Sequence, residues 1–171
     1  MASYVPDGIE KVNRSQFLTY LDTEPDNQSP TWSILGVGIT DYGISYNPQV
    51  DTEKWIIEDN ARNDHTSNQK QASVEQKIYK GDPCFEFANN GRDVLNYKTH
   101  ILDIDRWNGQ TEGQTTKYPA TMSDGILVVT ETMGENATLS YDLYYDGDIT
   151  KGFVTFTGNV PSFQAEGPAS L

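Results

Sequence analysis

The chain has 171 residues, with 25 acidic against 12 basic side chains and a net charge of −13. That balance argues against nucleic-acid binding through phosphates, which needs clustered Lys and Arg. The lone Cys84 excludes an internal disulfide framework and an all-Cys metal site. One domain with a sizeable core is expected at this length, since 36% of the residues are hydrophobic. No apolar run approaches the roughly 20 residues needed to cross a bilayer. The first residues, Met1 to Gly8, lack the basic patch and apolar stretch of a secretory signal.

The charge is spread along the chain, and neither an acidic tail nor a basic arm stands out. Between Asp103 and Asp148, nine acids face only Arg106 and Lys117. Charge patterning leaves two readings open: a solvated surface that keeps the protein soluble, or a deliberately negative face.

In chain order, residues 1–31 read as an N-terminal arm. Asp22 to Thr31 (DTEPDNQSPT) holds two prolines and no aliphatic residue. Just before it, Arg14 to Leu21 (RSQFLTYL) offers apolar anchors, suited to one helical turn or to an extended docking segment. From Trp32 the texture is that of strands, and residues 32–158 form the expected β-sandwich domain. Trp32–Gly38, Gly43–Pro48 and Thr52–Ile57 are strand candidates, the last two alternating in the two-residue period of a sheet. Both faces of Thr52–Ile57 carry bulky groups, as in a strand covered on both sides.

Residues 58–71 (EDNARNDHTSNQKQ) form the most polar window and are expected to be a long loop. Structureless loops of that length are uncommon and usually functional or disordered. Val74 to Lys80 resumes a strand register. A helix is expected over about residues 82–96, with Asp82 as its cap and Pro83 at its first position. Phe85, Ala88, Arg92 and Leu95 would form its stripe, although Gly91 weakens the interior. His100–Asp105, Gly125–Thr132, Thr138–Tyr145 and Gly152–Thr157 complete the strands, with Asp146-Gly147 signalling a tight turn. Residues 159–171 read as a C-terminal arm. The fold class is therefore mainly β: a sandwich or barrel-like domain with one flanking helix.

Chemistry is thinly supported. A Ser-His-Asp site would have to use His100, near Asp103 and Asp105, yet no Gly-x-Ser-x-Gly turn exists. Cys84 reads as a small buried hydrophobe rather than a reactive thiol. Asp103 to Gly109 faintly resembles a calcium loop, but Trp107 occupies a ligand position and Gly109 comes one residue late. No phosphate-cradling glycine loop is present. No enzyme activity, cofactor or metal is expected, and the sequons at Asn13, Asn27 and Asn136 mean little without a secretory signal.

One set of segments carries more than its physics explains. Gly36-Val-Gly38-Ile-Thr is followed by Ser45-Tyr-Asn-Pro-Gln-Val50, then Thr52-Glu-Lys-Trp-Ile56 and Glu58-Asp-Asn-Ala61. Val74-Glu-Gln76, Tyr79-Lys-Gly-Asp-Pro83 and Phe85-Glu-Phe87 come next, with Gly152-Phe-Val-Thr-Phe156 and Val160-Pro-Ser-Phe163 near the end. This resembles the major tail proteins, or tail tube proteins, of long-tailed siphophages that infect Gram-positive bacteria. The resemblance runs from about Trp32 to Phe163 and is poor over residues 98–136.

The resemblance implies a β-sandwich with a flanking helix that assembles into hexameric rings stacked as a hollow tube. The fold would be that of phage tail tubes and type VI secretion tubes. A long loop would reach the next ring, and terminal arms would brace neighbours. Here the interface would comprise Trp55, Ile56, Ile57, Glu58, Asp59, Asn60, Arg62, Asp64, His65, Lys70 and Val74. The charge would find a role as a negative lumen that lets DNA pass without binding, with Glu53, Glu75, Glu131 and Asp142 as the acids facing it. The implied partners are further copies of the chain, a tape-measure protein, a tail terminator and tail-tip proteins, with no membrane. The implied place is the virion, after synthesis in the host cytoplasm. The competing reading is a carbohydrate- or receptor-binding β-sandwich, with Trp107-Asn-Gly-Gln110 in a plausible loop.

Overall fold

The computed structural model describes residues 8–167. It is mainly β, with ten strands and one α-helix among the described residues. In chain order the strands are β1 (Phe17–Asp22), β2 (Trp32–Leu35), β3 (Pro48–Glu53), β4 (Arg62–Asn68) and β5 (Gln71–Lys77). Helix α1 (Pro83–Asn90) precedes β6 (Tyr97–Asp105), β7 (Gln110–Glu112), β8 (Thr115–Thr132), β9 (Thr138–Thr157) and β10 (Val160–Ala165). The main sheet runs β10-β9-β8-β6-β1-β2, with β5 on the other stretch of β9 and β7 on β8; β3 and β4 form a separate hairpin. All pairings are antiparallel.

The two longest strands carry a hydrophobic cluster on each face of the sheet. Toward one end, Leu127, Leu139, Tyr141 and Leu143 join Leu21, Ile101, Val74 and helix α1. Toward the other end and on the opposite face, Ala120 and Val154 join Tyr20, Leu102 and Ile104. Neighbouring residues Ile101 and Leu102 therefore enter different clusters, as the period-2 pleat requires. A register shift separates the two ends: Met122 pairs Thr150 and Asp124 pairs Asp146, so Gly147–Ile149 lie opposite Ser123 alone. Gly147 takes φ +69° there. The Asp-Gly expected as a hairpin turn is thus a bulge within one 20-residue strand.

Helix α1 begins as its sequence dictates. The Asp82 carboxylate accepts the Cys84 N–H, and Pro83 takes the first position. It ends at Asn90, six residues short of the expected bound. A Cβ at Gly91 would meet the Tyr97 ring at 2.4 Å, so the chain turns there and Tyr97 stacks on Phe87 at 4.7 Å. The buried stripe is Cys84, Phe87 and Ala88. Arg92 and Leu95 lie beyond the helix, and Leu95 is 91% exposed.

The arms also differ from expectation. Phe17–Asp22 is an inner strand, paired to β2 on one side and β6 on the other, with Tyr20 and Leu21 buried. Phe17 pairs with Asp105, a contact 88 positions away that no local pattern announces. Val160–Ala165 likewise belongs to the sheet, as the partner of β9. Residues 1–7 and 168–171 of the expected arms lie outside the described residues.

Candidate functional site

The expected loop over residues 58–71 is largely a strand. Arg62–Asn68 forms β4 and pairs with Pro48–Glu53, from Pro48 opposite Asn68 to Glu53 opposite Arg62. The strand expected over Thr52–Ile57 stops at Glu53, leaving Trp55, Ile56 and Ile57 in the hairpin tip. Every residue of both strands is exposed, and the hairpin makes no ladder with the main sheet. A polar, two-sided strand has no hydrophobic alternation, which is why its composition reads as loop.

The tip is organised by its own side chains. The Arg62 guanidinium stacks over the Trp55 ring at 4.6 Å and pairs with the Glu58 carboxylate. The Glu58 N–H donates to the Trp55 carbonyl at 3.0 Å. Held this way, the tip presents Ile57 at 85% exposure and Ile56 at 102%, while Trp55 is half-exposed. Asn60, Asp59, Asp64 and His65 are exposed along the same hairpin. His65 Nε2 lies 2.8 Å from Asn68 Oδ1, and Thr52 donates to Asn63 at 2.7 Å. Asp51 and Asp64 stand directly opposite, a pairing of like charges that weakens the ladder.

Two residues expected at an interface are not available to one. Val74 is 3% exposed, because the alternation of β5 turns it into the core beneath α1. Lys70 is 9% exposed, with its ammonium 4.4 Å from the Tyr145 ring centroid and 5.2 Å from that of Tyr46. Aromatic faces take the place of water around this cation.

Three of the four acids expected on a lumen share one face. Glu75 pairs with Ser140, and Ser140 pairs with Glu131, so the two glutamates flank one serine across β5, β9 and β8. Asp142 lies two residues along β9, accepting from Ser73 Oγ at 2.6 Å and from Tyr144 at 3.4 Å. This face lies opposite α1, since Val74, Gln76, Tyr141 and Leu143 point the other way. Lys77 and Lys98 lie at its margins, with Val128 and Tyr144 half-exposed between. Glu53 is elsewhere, at the end of β3 beside the hairpin tip.

Two polar constellations escape a sequence reading. Asp103, partly buried on β6, accepts from Thr19 Oγ1 at 2.7 Å and from the Tyr145 hydroxyl at 2.8 Å. Burial raises its carboxyl above the ordinary range, while the two hydroxyls and the nearby Lys70 oppose the shift. Burial also pushes the Tyr42 phenol up to about 12, 3.4 Å from the Tyr145 oxygen. Farther along β6, on the other face, His100 Nδ1 lies 2.9 Å from the buried Asp22 and Nε2 lies 3.4 Å from Asp124. His100 is thus a tie between strands and the turn after β1, where Asp22 also accepts from the Glu24 and Thr31 N–H groups. The only sequence signal for either group was an acid at an inward strand position. Cys84 is fully buried, its Sγ within 3.4 Å of the Ser33 and Ile34 carbonyls, and burial pushes its thiol up to about 12.

No known protein family and no curated protein matches this chain. Among solved structures, a chain of the anti-feeding prophage baseplate is similar at 11% identity and a TM-score of 0.47. That match covers 84% of this chain and 96% of the other. A likeness so slight fixes neither family nor function.

Proposed function

We propose that the chain is a non-enzymatic structural subunit that self-assembles into stacked hexameric rings, forming the hollow tail tube through which phage DNA leaves the virion. The observation that carries this reading is the hairpin of β3 and β4. Its residues are exposed throughout, two of its acids oppose each other, and its tip displays Trp55, Ile56 and Ile57. An isolated two-stranded hairpin is marginal in water, and an apolar tip of this kind is normally covered by a partner. The segments that resemble tail tube proteins include the first strand and the tip of this hairpin. The shared placement of Glu75, Glu131 and Asp142 supports a negative face, which would repel phosphates and let DNA slide past. Tape-measure, terminator and tail-tip proteins would be its partners in the virion.

Electron microscopy of the purified protein, concentrated and seeded with fragments of tube, tests the reading. Hollow rings or tubes with a central channel are expected. Particles that stay monomeric with and without seed would overturn it.

A further inference from the structure

The turn between β6 and β7 carries a reactive dipeptide that the proposed assembly does not use. Asn108 closes the single 3-10 turn Arg106–Asn108, and Gly109 leads from it into β7. Both residues are exposed. The sequence holds one other Asn-Gly pair, Asn90-Gly91, at the end of α1. The residue types are identical in the two places, and the structure treats them differently.

Asparagine before glycine loses its side-chain nitrogen when the next backbone nitrogen attacks the carboxamide carbon. Glycine has no Cβ to obstruct that approach. The attack needs a backbone N–H free of hydrogen bonds and a chain able to rotate until nitrogen and carbon meet. At Gly91 neither condition holds. Gly91 is buried, its N–H donates to the Ala88 carbonyl at 3.1 Å, and the Tyr97 ring packs against it. At Gly109 the N–H donates to no group among the described residues. The turn before it has no side-chain cap. A lone 3-10 turn has poor hydrogen-bond geometry, and exposed segments of this kind open with little free-energy change.

We infer that Asn108 is a site of spontaneous modification, deamidating through a cyclic imide with Gly109 while Asn90 stays intact. The Gly109 nitrogen gives its proton to solvent and bonds to Asn108 Cγ. The Cγ–Nδ2 bond then breaks, and Nδ2 takes up a proton and leaves as ammonia. Water opens the ring at either carbonyl, giving aspartate or isoaspartate. Solvent supplies every proton and the water, and no electrons change hands. The glycine is not readily replaced, because a Cβ there would meet the Tyr118 ring at 2.7 Å and Thr116 Cγ2 at 3.2 Å. Either product adds a negative charge next to Trp107, and the isoaspartyl form also lengthens the main chain before β7. That form presents a free α-carboxylate, the group that an isoaspartyl carboxyl methyltransferase recognises.

The test incubates the folded full chain in mildly alkaline buffer and follows both peptides by digestion and mass spectrometry. Asn108 should gain the mass of amide-to-acid conversion at least tenfold faster than Asn90. The product should accept a methyl group from an isoaspartyl methyltransferase. In urea, where both pairs are released from the fold, the two rates should converge. Asn108→Gln, at an exposed position, should remove the fast conversion and leave Asn90 as it was. Equal rates at the two sites in the folded chain, or a faster Asn90, would overturn the inference, and neither result depends on whether tubes form.

Discussion

The sheet body and the β3–β4 hairpin obey different physics within one chain. In the body, Leu21, Leu127, Leu139, Tyr141 and Leu143 are all but sealed from water, each such side chain contributing about 1.5–3 kcal/mol. Polar groups that enter are paired: buried Gln76 donates to Val37 O at 2.9 Å and to Asp82, and accepts from the Tyr141 hydroxyl at 2.9 Å. In the hairpin strands nothing is buried, and Asp faces Asp across the ladder. The body is a structure that completes itself. The hairpin lacks such contacts within its own chain, as the assembly proposal requires.

Perturbations of the two regions should therefore separate stability from assembly. Leu143→Ala, at the centre of the helix-covered cluster, should destabilise the monomer by about 2–5 kcal/mol in urea unfolding. A loss below 1 kcal/mol would mean that the cluster is not the core. Tyr141→Phe leaves the Gln76 carbonyl oxygen without its donor inside that cluster, at about 1–3 kcal/mol. A neutral outcome would show that water reaches Gln76.

The pH response belongs to the body as well. Burial raises the carboxyls of Asp82, Asp103 and Asp105. A raised native pKa means the folded chain keeps protons that the unfolded chain has released. Stability should then fall as pH climbs from about 4, the unfolded carboxylate value, through the raised native values. Asp103→Asn should make that decline shallower, as read from urea midpoints across the window; an unchanged slope would place Asp103 in contact with water.

The smallest effect on folding should come from the most visible residues. Replacing Ile56 and Ile57 together with Ser should shift monomer stability by only about 0.5 kcal/mol, because those side chains touch little of their own molecule. The same variant should fail to form tubes by electron microscopy. Comparable losses of stability and assembly would erase the distinction between the two regions.

What could be read from the sequence was local. Asp82-Pro83 marks a helix start wherever it folds, because the cap and the missing N–H concern only the first turn. The alternating strands of the second half likewise stand in the residues themselves, whereas Trp55–Ile57, expected in a strand covered on both faces, is exposed at the hairpin tip. Other features depended on partners far away in the chain. Phe17–Asp22 is an inner strand because β2 and β6 flank it, and Asp146-Gly147 is a bulge because β8 runs on past it. Arg62–Asn68 is a strand because Pro48–Glu53 lies opposite, despite a composition that suits loop. The gathering of Asp103, Tyr145, Thr19 and Lys70 spans 126 positions. Periodicity tells which residues share a face of a strand; only the pairing of distant strands decides which face meets the core and which meets water.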